Sequence, residues 1–305
     1  MTQALFIETA KAEEVLRAEG IRRLNVSGVL KILGVSRNGY YDFKDRNPSQ
    51  NQLRKEMILE EIFKIYDNSY QNYGAPKITQ VLLGKEIMVS EKTVGNYMRE
   101  LGIKAQYVKP YAKTTIDSNF SSELKNILNG KFNPEEPDAS WCSDITYIWT
   151  FEGFVYLTSI MDLFSRKIIA WVLSDTLEAK WVVEAVEKAK KSRNVDKPLV
   201  MHSDRGIQYT CNAYQEATEG FIASYSKKAY PWDNACIESF HALLKREWIN
   251  RFKIFDYNHA YRLVFEYIET FYNTVRIHSH CGYLSPNTYE ERYMKKMEKQ
   301  MRKAS

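Results

Sequence analysis

Apolar positions fall into two regimes along this chain: helical spacing up to about residue 104, and strand-like runs after about residue 138. In residues 26–41, Val26, Val29, Leu30, Leu33 and Val35 carry the apolar pattern, Gly34 supplies a turn, and Ser36 suits a helix cap. A short helix, a glycine turn and a second helix form a helix-turn-helix pattern, predicted here for residues 1–46. Asn47-Pro48-Ser49-Gln50 reads as a linker. Residues 51–104 repeat the theme. An amphipathic helix over 53–66 is followed by one beginning after Pro76 and by a third, rich in Lys and Arg, that Ser90 caps. The N-terminal side chains of such a third helix suit DNA recognition, which makes Lys92, Thr93 and Arg99 candidate DNA contacts. Packed helix pairs serve many purposes, so each pair alone says little about function.

Residues 105–137 form a basic and polar connector, after which the pattern changes. Segments 140–150, 154–161 and 167–173 are rich in Ile, Val, Tyr, Trp and Thr. Turns at Phe151-Glu152-Gly153 and at 163–166 separate them, predicting a three-stranded antiparallel meander. A helix over 178–191, a strand over 198–202, a helix over 211–218 and a strand over 221–225 follow. Two longer helices are predicted over 233–250 and 258–274. The expected second part, 138–295, is thus an α/β unit with a mixed five-stranded sheet flanked by helices. A basic tail, 296–305, closes the chain.

Charge sharpens this division. Residues 1–133 hold 20 Lys and Arg against 15 Asp and Glu, whereas 134–305 hold 23 of each, so the net +5 belongs to the helical part. A polyanionic partner docking there fits that asymmetry, as does an ordinary solvated basic surface. The 305 residues, 44% of them hydrophobic, suffice for several units with buried cores. No apolar run approaches the roughly 20 residues of a membrane span, and Met1 to Lys11 lack the features of a signal peptide. The four scattered cysteines form no C-x-x-C pair, so a reduced, cytosolic protein is expected.

Three carboxylates carry the chemistry. Asp144 stands within an apolar strand, where a carboxylate is costly unless paired or bound to a cation. Asp204 follows a buried-type strand directly, a common place for ligand groups in α/β sheets. Glu238 sits on the first turns of a helix. If the first and fourth strands are neighbours, the three converge, and oxygen ligands of this kind suit Mg2+ or Mn2+. Two such ions would serve phosphoryl transfer. No G-x-S-x-G, no P-loop and no persuasive Cys/His pair points to other chemistry. Lys245, seven residues after Glu238, falls on the same helix face and within reach of DNA phosphate.

Read in order, VLKILGVSRNGYYDF, YGAPKIT, VSEKTVGNYMRELGI, WCSDITYI, DLFSRKIIAW, HSDRGIQYT, WDNACIESFHALLKREW and YNTVRIHSHCGYLSPNTY resemble an insertion-sequence transposase of the retroviral-integrase superfamily. The resemblance covers nearly the whole chain. It implies a ribonuclease-H-like core and a D-D-E triad falling on Asp144, Asp204 and Glu238, with Lys245 in a DNA-contacting position. It further implies a bacterial, nucleoid-associated enzyme that cuts and joins element ends and acts as a homo-oligomer on DNA. The 33 residues between Asp204 and Glu238 are two fewer than the family commonly has, which predicts a shortened loop around residues 226–231. No heptad run precedes residue 50, so this reads as the downstream-frame product, implying an upstream-frame partner or fusion. A catalytically silent DNA-binding regulator is the competing expectation.

Several residues invite blander readings. Asp162 is expected to be structural, with Arg166 as its partner. Arg276 and His278 are expected either to contact DNA phosphates or to support the core. His278, His280 and Cys281 lack the second ligand pair of a zinc site. Trp141, Trp149, Trp171 and Tyr147 are expected to pack in the core rather than stack on bases.

Overall fold

The computed structural model describes residues 2–20, 25–45, 49–106, 124–193, 195–227 and 231–304. The chain divides into two compact units, Met1–Glu61 and Ile62–Ser305. In the first, α1 (Thr2–Ala18), α2 (Val26–Ile32) and α3 (Arg37–Lys44) enclose Phe6, Val26, Leu30 and Tyr40. The sequence punctuates these helices as read. Asn25 caps α2, Ser36 caps α3 through a 3.3 Å bond from Gly39 N, and Gly34 turns between them at φ +67°. The next helix, α4 (Gln50–Asn68), runs across the division between the units.

In the second unit, α5 (Ala75–Gly84) and α6 (Glu91–Glu100) pack together as a helix pair. Pro76 lies in the first turn of α5, where its missing N–H costs nothing, and Ser90 caps α6 through a 3.2 Å bond from Thr93 N. The preceding segment is bound to the body of the unit. Ile277 N donates to the Tyr73 hydroxyl (2.9 Å), and the Tyr70 ring meets Trp248 and Phe271 edge-on.

The sheet comprises β1 (Ser140–Thr150), β2 (Gly153–Asp162), β3 (Ile168–Ser174), β4 (Val200–Ser203) and β5 (Ile222–Tyr225). Its order is β3-β2-β1-β4-β5. The first three strands are an antiparallel meander, and β4 and β5 are parallel to β1. Between β3 and β4 runs α7 (Ala179–Ser192), which buries Val182, Ala185, Val186 and Ala189 against β3 and β2. The short helices α8 (Ile207–Thr210) and α9 (Asn212–Ala217) join β4 to β5. After them come α10 (Ala235–Glu247) and α11 (Tyr257–Phe265), then a π-helical stretch, Glu266–Tyr272, and α12 (Pro286–Ala304). This is the ribonuclease-H-like arrangement that the resemblance implied, with helical modules ahead of it.

Four differences from the sequence reading have physical causes. The helix read over 258–274 widens to π geometry at its C-terminal half, where Tyr267, Ile268, Phe271 and Tyr272 are all buried. The described end of the connector is held against the core, for Ile127 N and Leu128 N both donate to Ser224 Oγ at 3.0 Å. The tail, read as a short basic amphipathic helix with a solvated end, continues α12 out of the core rather than starting a separate element, and its described side chains are exposed except half-buried Met297. Asp162 is structural, but not through the Arg166 side chain. Its carboxylate accepts from Asp138 N (3.0 Å) and Phe164 N (2.9 Å), and burial pushes it up to about 7. The Arg166 guanidinium instead donates to the carbonyls of Phe132 and Leu163.

Candidate active site

Parallel pairing of β1 with β4 stops at Cys142–His202, so beyond it the strands part just where Asp144 and Asp204 project. Asp144 lies opposite Ser159 of β2. Its Oδ2 is 3.4 Å from Nδ1 of His241, whose Nε2 is 3.2 Å from Ser159 Oγ. Asp204 is fixed by its own turn, accepting from Gly206 N at 2.8 Å. A side chain at Gly206 would meet that carboxylate, because an added Cβ falls 3.0 Å from Asp204 Oδ1. The neighbouring Arg205 donates to the carbonyls of Ser226 (2.7 Å) and Leu124 (3.0 Å), tying the turn to the next strand. Glu238 stands in the first turn of α10, where the helix N-terminus favours negative charge. The start of that helix is held by Asp233, which accepts from Lys227 N at 2.8 Å. The predicted shortened loop falls partly outside the described residues, at 228–230.

Asp204 feels the other two carboxylates. Burial raises Asp204 to about 6, the negative charge of Asp144 adds to the rise, the Gly206 bond opposes it, and Glu238 contributes a smaller rise. Lys245 is held below its ordinary value by burial, against the pull of Asp144. Its Nζ lies 4.3 Å from the centre of the Tyr147 ring. Glu238, His241 and Lys245 therefore share one face of α10, as positions i, i+3 and i+7 must. Among the described residues, no three His, Cys, Asp or Glu side chains are yet drawn in to the shell of one ion. The carboxylates are neighbours that repel. That is the electrostatic situation a hard divalent cation relieves, and an all-oxygen donor set fits one.

Burial of Asp204, with this repulsion added, has a measurable cost. A carboxyl whose folded value is raised favours the folded state fully below its unfolded value, near 3.8, and that contribution is lost as pH rises through about 6. Asp204→Asn should therefore stabilise the metal-free protein at pH 8, by on the order of 1–2 kcal/mol for this half-buried group. The gain should vanish below about pH 4, in thermal melts run in chelator. Equal melting of the two proteins at pH 8 would show that the Asp204 carboxyl is not raised by burial and its neighbours.

The other candidates are distributed differently. Lys92 and Arg99 are exposed on α6, while the Thr93 hydroxyl lies 2.8 Å from Ser90 Oγ in the cap. Arg276 and His278 are buried. Arg276 forms a two-pronged pair with Glu247 at 2.7 Å on each prong, and His278 packs edge-on against Tyr272. Of the two readings offered for them, support of the core fits this burial, and phosphate contact does not. His280 Nε2 lies 2.9 Å from the Phe164 carbonyl, and the Cys281 thiol donates to that of Ser165. The core-packing expectation holds for Trp141, fully buried, but fails for Tyr147 and Trp149, 57% and 60% exposed. The reason is tertiary: α7 covers β3 and β2, and the outer half of β1 runs past that cover. His241 was missed altogether, since one histidine on an apolar helix carries no sequence signal of its carboxylate contact.

Residues 134–226 and 219–286 each match the integrase core domain family, and residues 52–111 match the HTH-like domain family. Sheet order and these matches together define an integrase-core protein. The chain is 37% identical over 248 residues to the transposase for insertion sequence element IS904 of Lactococcus lactis subsp. lactis (strain IL1403), spanning 81% of this chain and 98% of that one. It is 31% identical over 292 residues to transposase InsF for insertion sequence IS3A of Escherichia coli (strain K12), spanning 94% and 98%. A match of 31% over 265 residues, spanning 86% and 97%, is to the insertion element IS600 uncharacterized 31 kDa protein of Shigella sonnei. The chain belongs to the insertion-sequence transposases of the retroviral-integrase superfamily. No described helix is long and apolar enough to cross a membrane.

Proposed function

We propose that this transposase cuts and joins DNA at the ends of its insertion sequence, with Asp144, Asp204 and Glu238 holding divalent cations, two Mg2+ ions or Mn2+ in their place. The observation that carries this is placement: Asp144 on β1, Asp204 directly after the parallel neighbour β4, and Glu238 in the first turn of α10, which packs against β1. Bound there, the cations would supply charge stabilisation at the scissile phosphate. The chain's own residues set the geometry. His241 and Ser159 steady Asp144, and the Gly206 amide steadies Asp204. An attacking oxygen then bonds to phosphorus as the bond to the leaving oxygen breaks.

Terminal inverted repeats and target DNA are the partners, and a homo-oligomer assembled on DNA is the acting form. The α5–α6 pair, with Lys92, Thr93 and Arg99 at or near exposed positions, is the proposed end-binding module. The test is joining of terminal-repeat DNA to a target by the full chain, expected with Mg2+ or Mn2+ and absent in chelator. Binding of the ends should also weaken steeply with salt, because phosphate contacts release counterions.

Lys245 supplies a further test. Its ammonium projects seven residues beyond Glu238, about 10 Å along the axis at ~1.5 Å per residue. A phosphate or base beside the scissile bond falls within its reach. Lys245→Ala should lower joining and weaken engagement of the end, whereas Lys245→Arg should retain much of both, because charge matters more than shape there. A photoreactive group at 245 should crosslink within a few nucleotides of the cleaved end. Cleavage that proceeds without such crosslinks excludes the contact.

A further inference from the structure

The end of the β1–β2 hairpin exposes more aromatic surface than solvation alone explains. Tyr147, Trp149, Phe151, Phe154 and Phe255 are between 47% and 62% exposed. They form contacting sets. Phe154 meets Tyr147 at 5.3 Å and Trp149 at 5.0 Å, both edge-on, and Phe151 meets Phe255 at 5.7 Å. Trp149 lies directly opposite Phe154 in the strand register, so the backbone ladder holds their positions. Contiguous apolar surface of this kind marks a contact site.

Its surroundings indicate the occupant. Lys245 places its ammonium over Tyr147 while feeling the charge of Asp144, so the aromatic surface begins where the carboxylates end. The segment from Lys245 to Lys253 adds Arg246 and Lys253, both exposed. Its one acid, Glu247, is buried in the pair with Arg276. No ion pair holds Lys245, Arg246 or Lys253 among the described residues, and Glu152 lies in the hairpin turn itself. The cation seated on the rings is Lys245, over Tyr147, while Glu152 and Asp175 line the cleft on the other side of Phe154, so the basic end of the surface is the one beside the carboxylates. Aromatic rings interleaved with cations are what unpaired nucleic acid needs: a face for each base and a charge for each phosphate.

We infer that Tyr147, Trp149 and Phe154 form a stacking platform for unpaired DNA bases beside the cleavage site, with Lys245 taking the adjoining phosphate. The platform would hold open the strand that leaves or enters the carboxylates. This rests on the proposed function, which it deepens by naming single-stranded DNA as what this surface takes.

Binding in chelator tests it without reference to catalysis. Two labelled probes are titrated with the full chain, a 12-nucleotide oligothymidylate and a blunt duplex carrying the terminal repeat. The Trp149→Ala/Phe154→Ala double variant should bind the oligothymidylate about tenfold more weakly or worse, the scale of base–aromatic stacking, with duplex affinity unchanged. Trp149→Phe, which keeps a ring, should retain most of the single-strand affinity. Unchanged single-strand binding by the double variant overturns the platform, as does equal loss on both probes. A smaller oligomer in sedimentation, with single-strand binding intact, also overturns it and gives the face to a second copy. If the native chain joins ends while these variants bind normally, only the platform falls. If the native chain joins nothing, the earlier reading falls with it.

Discussion

Asp144→Asn, Asp204→Asn and Glu238→Gln are each expected to lower strand transfer by about a thousandfold or more, the scale on which loss of one transition-state stabiliser is felt. Each exchange keeps volume and one hydrogen-bonding oxygen while removing the charge a hard cation requires. The Gly206 amide can still donate to an asparagine oxygen at 204, so the local turn should persist. On the proposed function, DNA is bound by groups elsewhere, the α5–α6 pair and the cations near the site. Anisotropy with terminal-repeat DNA should therefore change little while joining into a supercoiled target disappears. A variant that kept joining within about tenfold of the native rate would remove its residue from the ligand set. The Asp204 variant carries an added signature: it should be the more stable protein at pH 8 without metal and the inactive one with it.

That contrast bears on what the sequence could disclose. Asp144 was legible because a carboxylate in an apolar strand violates the cost of burying charge, and a local violation of that kind usually has a functional reason. Asp204 and Glu238 were legible through their places at a strand end and a helix start. The strand spans follow from alternation and β-branched content, and β1 occupies the predicted residues 140–150. What stayed hidden depends on which element covers which. Tyr147 and Trp149 alternate like core residues, and only the placement of α7 over β3 and β2 leaves them bare. The π-helical widening over Glu266–Tyr272 answers to four large side chains packing at once, a demand absent from helix periodicity. Asp162 takes backbone amides rather than the arginine four residues on, because the turn geometry offers Phe164 N first.

The clearest case is Arg276, separated by 29 residues from the Glu247 that receives it. Arg276→Ala is expected to destabilise the protein by about 3–5 kcal/mol, the cost of leaving a buried charge without its partner. Glu247 is buried, and burial alone would raise its carboxyl. The two bonds and the charge of Arg276, with Lys77 and the Tyr267 hydroxyl (2.8 Å), reverse that and hold it below the ordinary carboxylate value. Glu247→Ala should cost at least as much. It would leave Arg276 beside Lys77, which is already pushed down to about 8 by burial and then by that same arginine. His278 gives no relief, for burial and the Arg276 charge push it down to about 2 and keep it neutral. Arg276→Lys should recover only part of the loss, since an ammonium cannot span both carboxylate oxygens. The double exchange Arg276→Met/Glu247→Leu should cost far less than the two single losses together, because it removes both charges and keeps the volume. The depressed Glu247 carboxyl also fixes a pH dependence. Its contribution is present above the unfolded value near 4.5 and is lost only as pH falls through the lower folded value. Urea denaturation of the four variants at pH 7, and of the native chain from pH 7 downward, measures all of this. Single variants within about 1 kcal/mol of the native chain would mean that the pair is solvated and that Arg276 is free for another role, phosphate contact included.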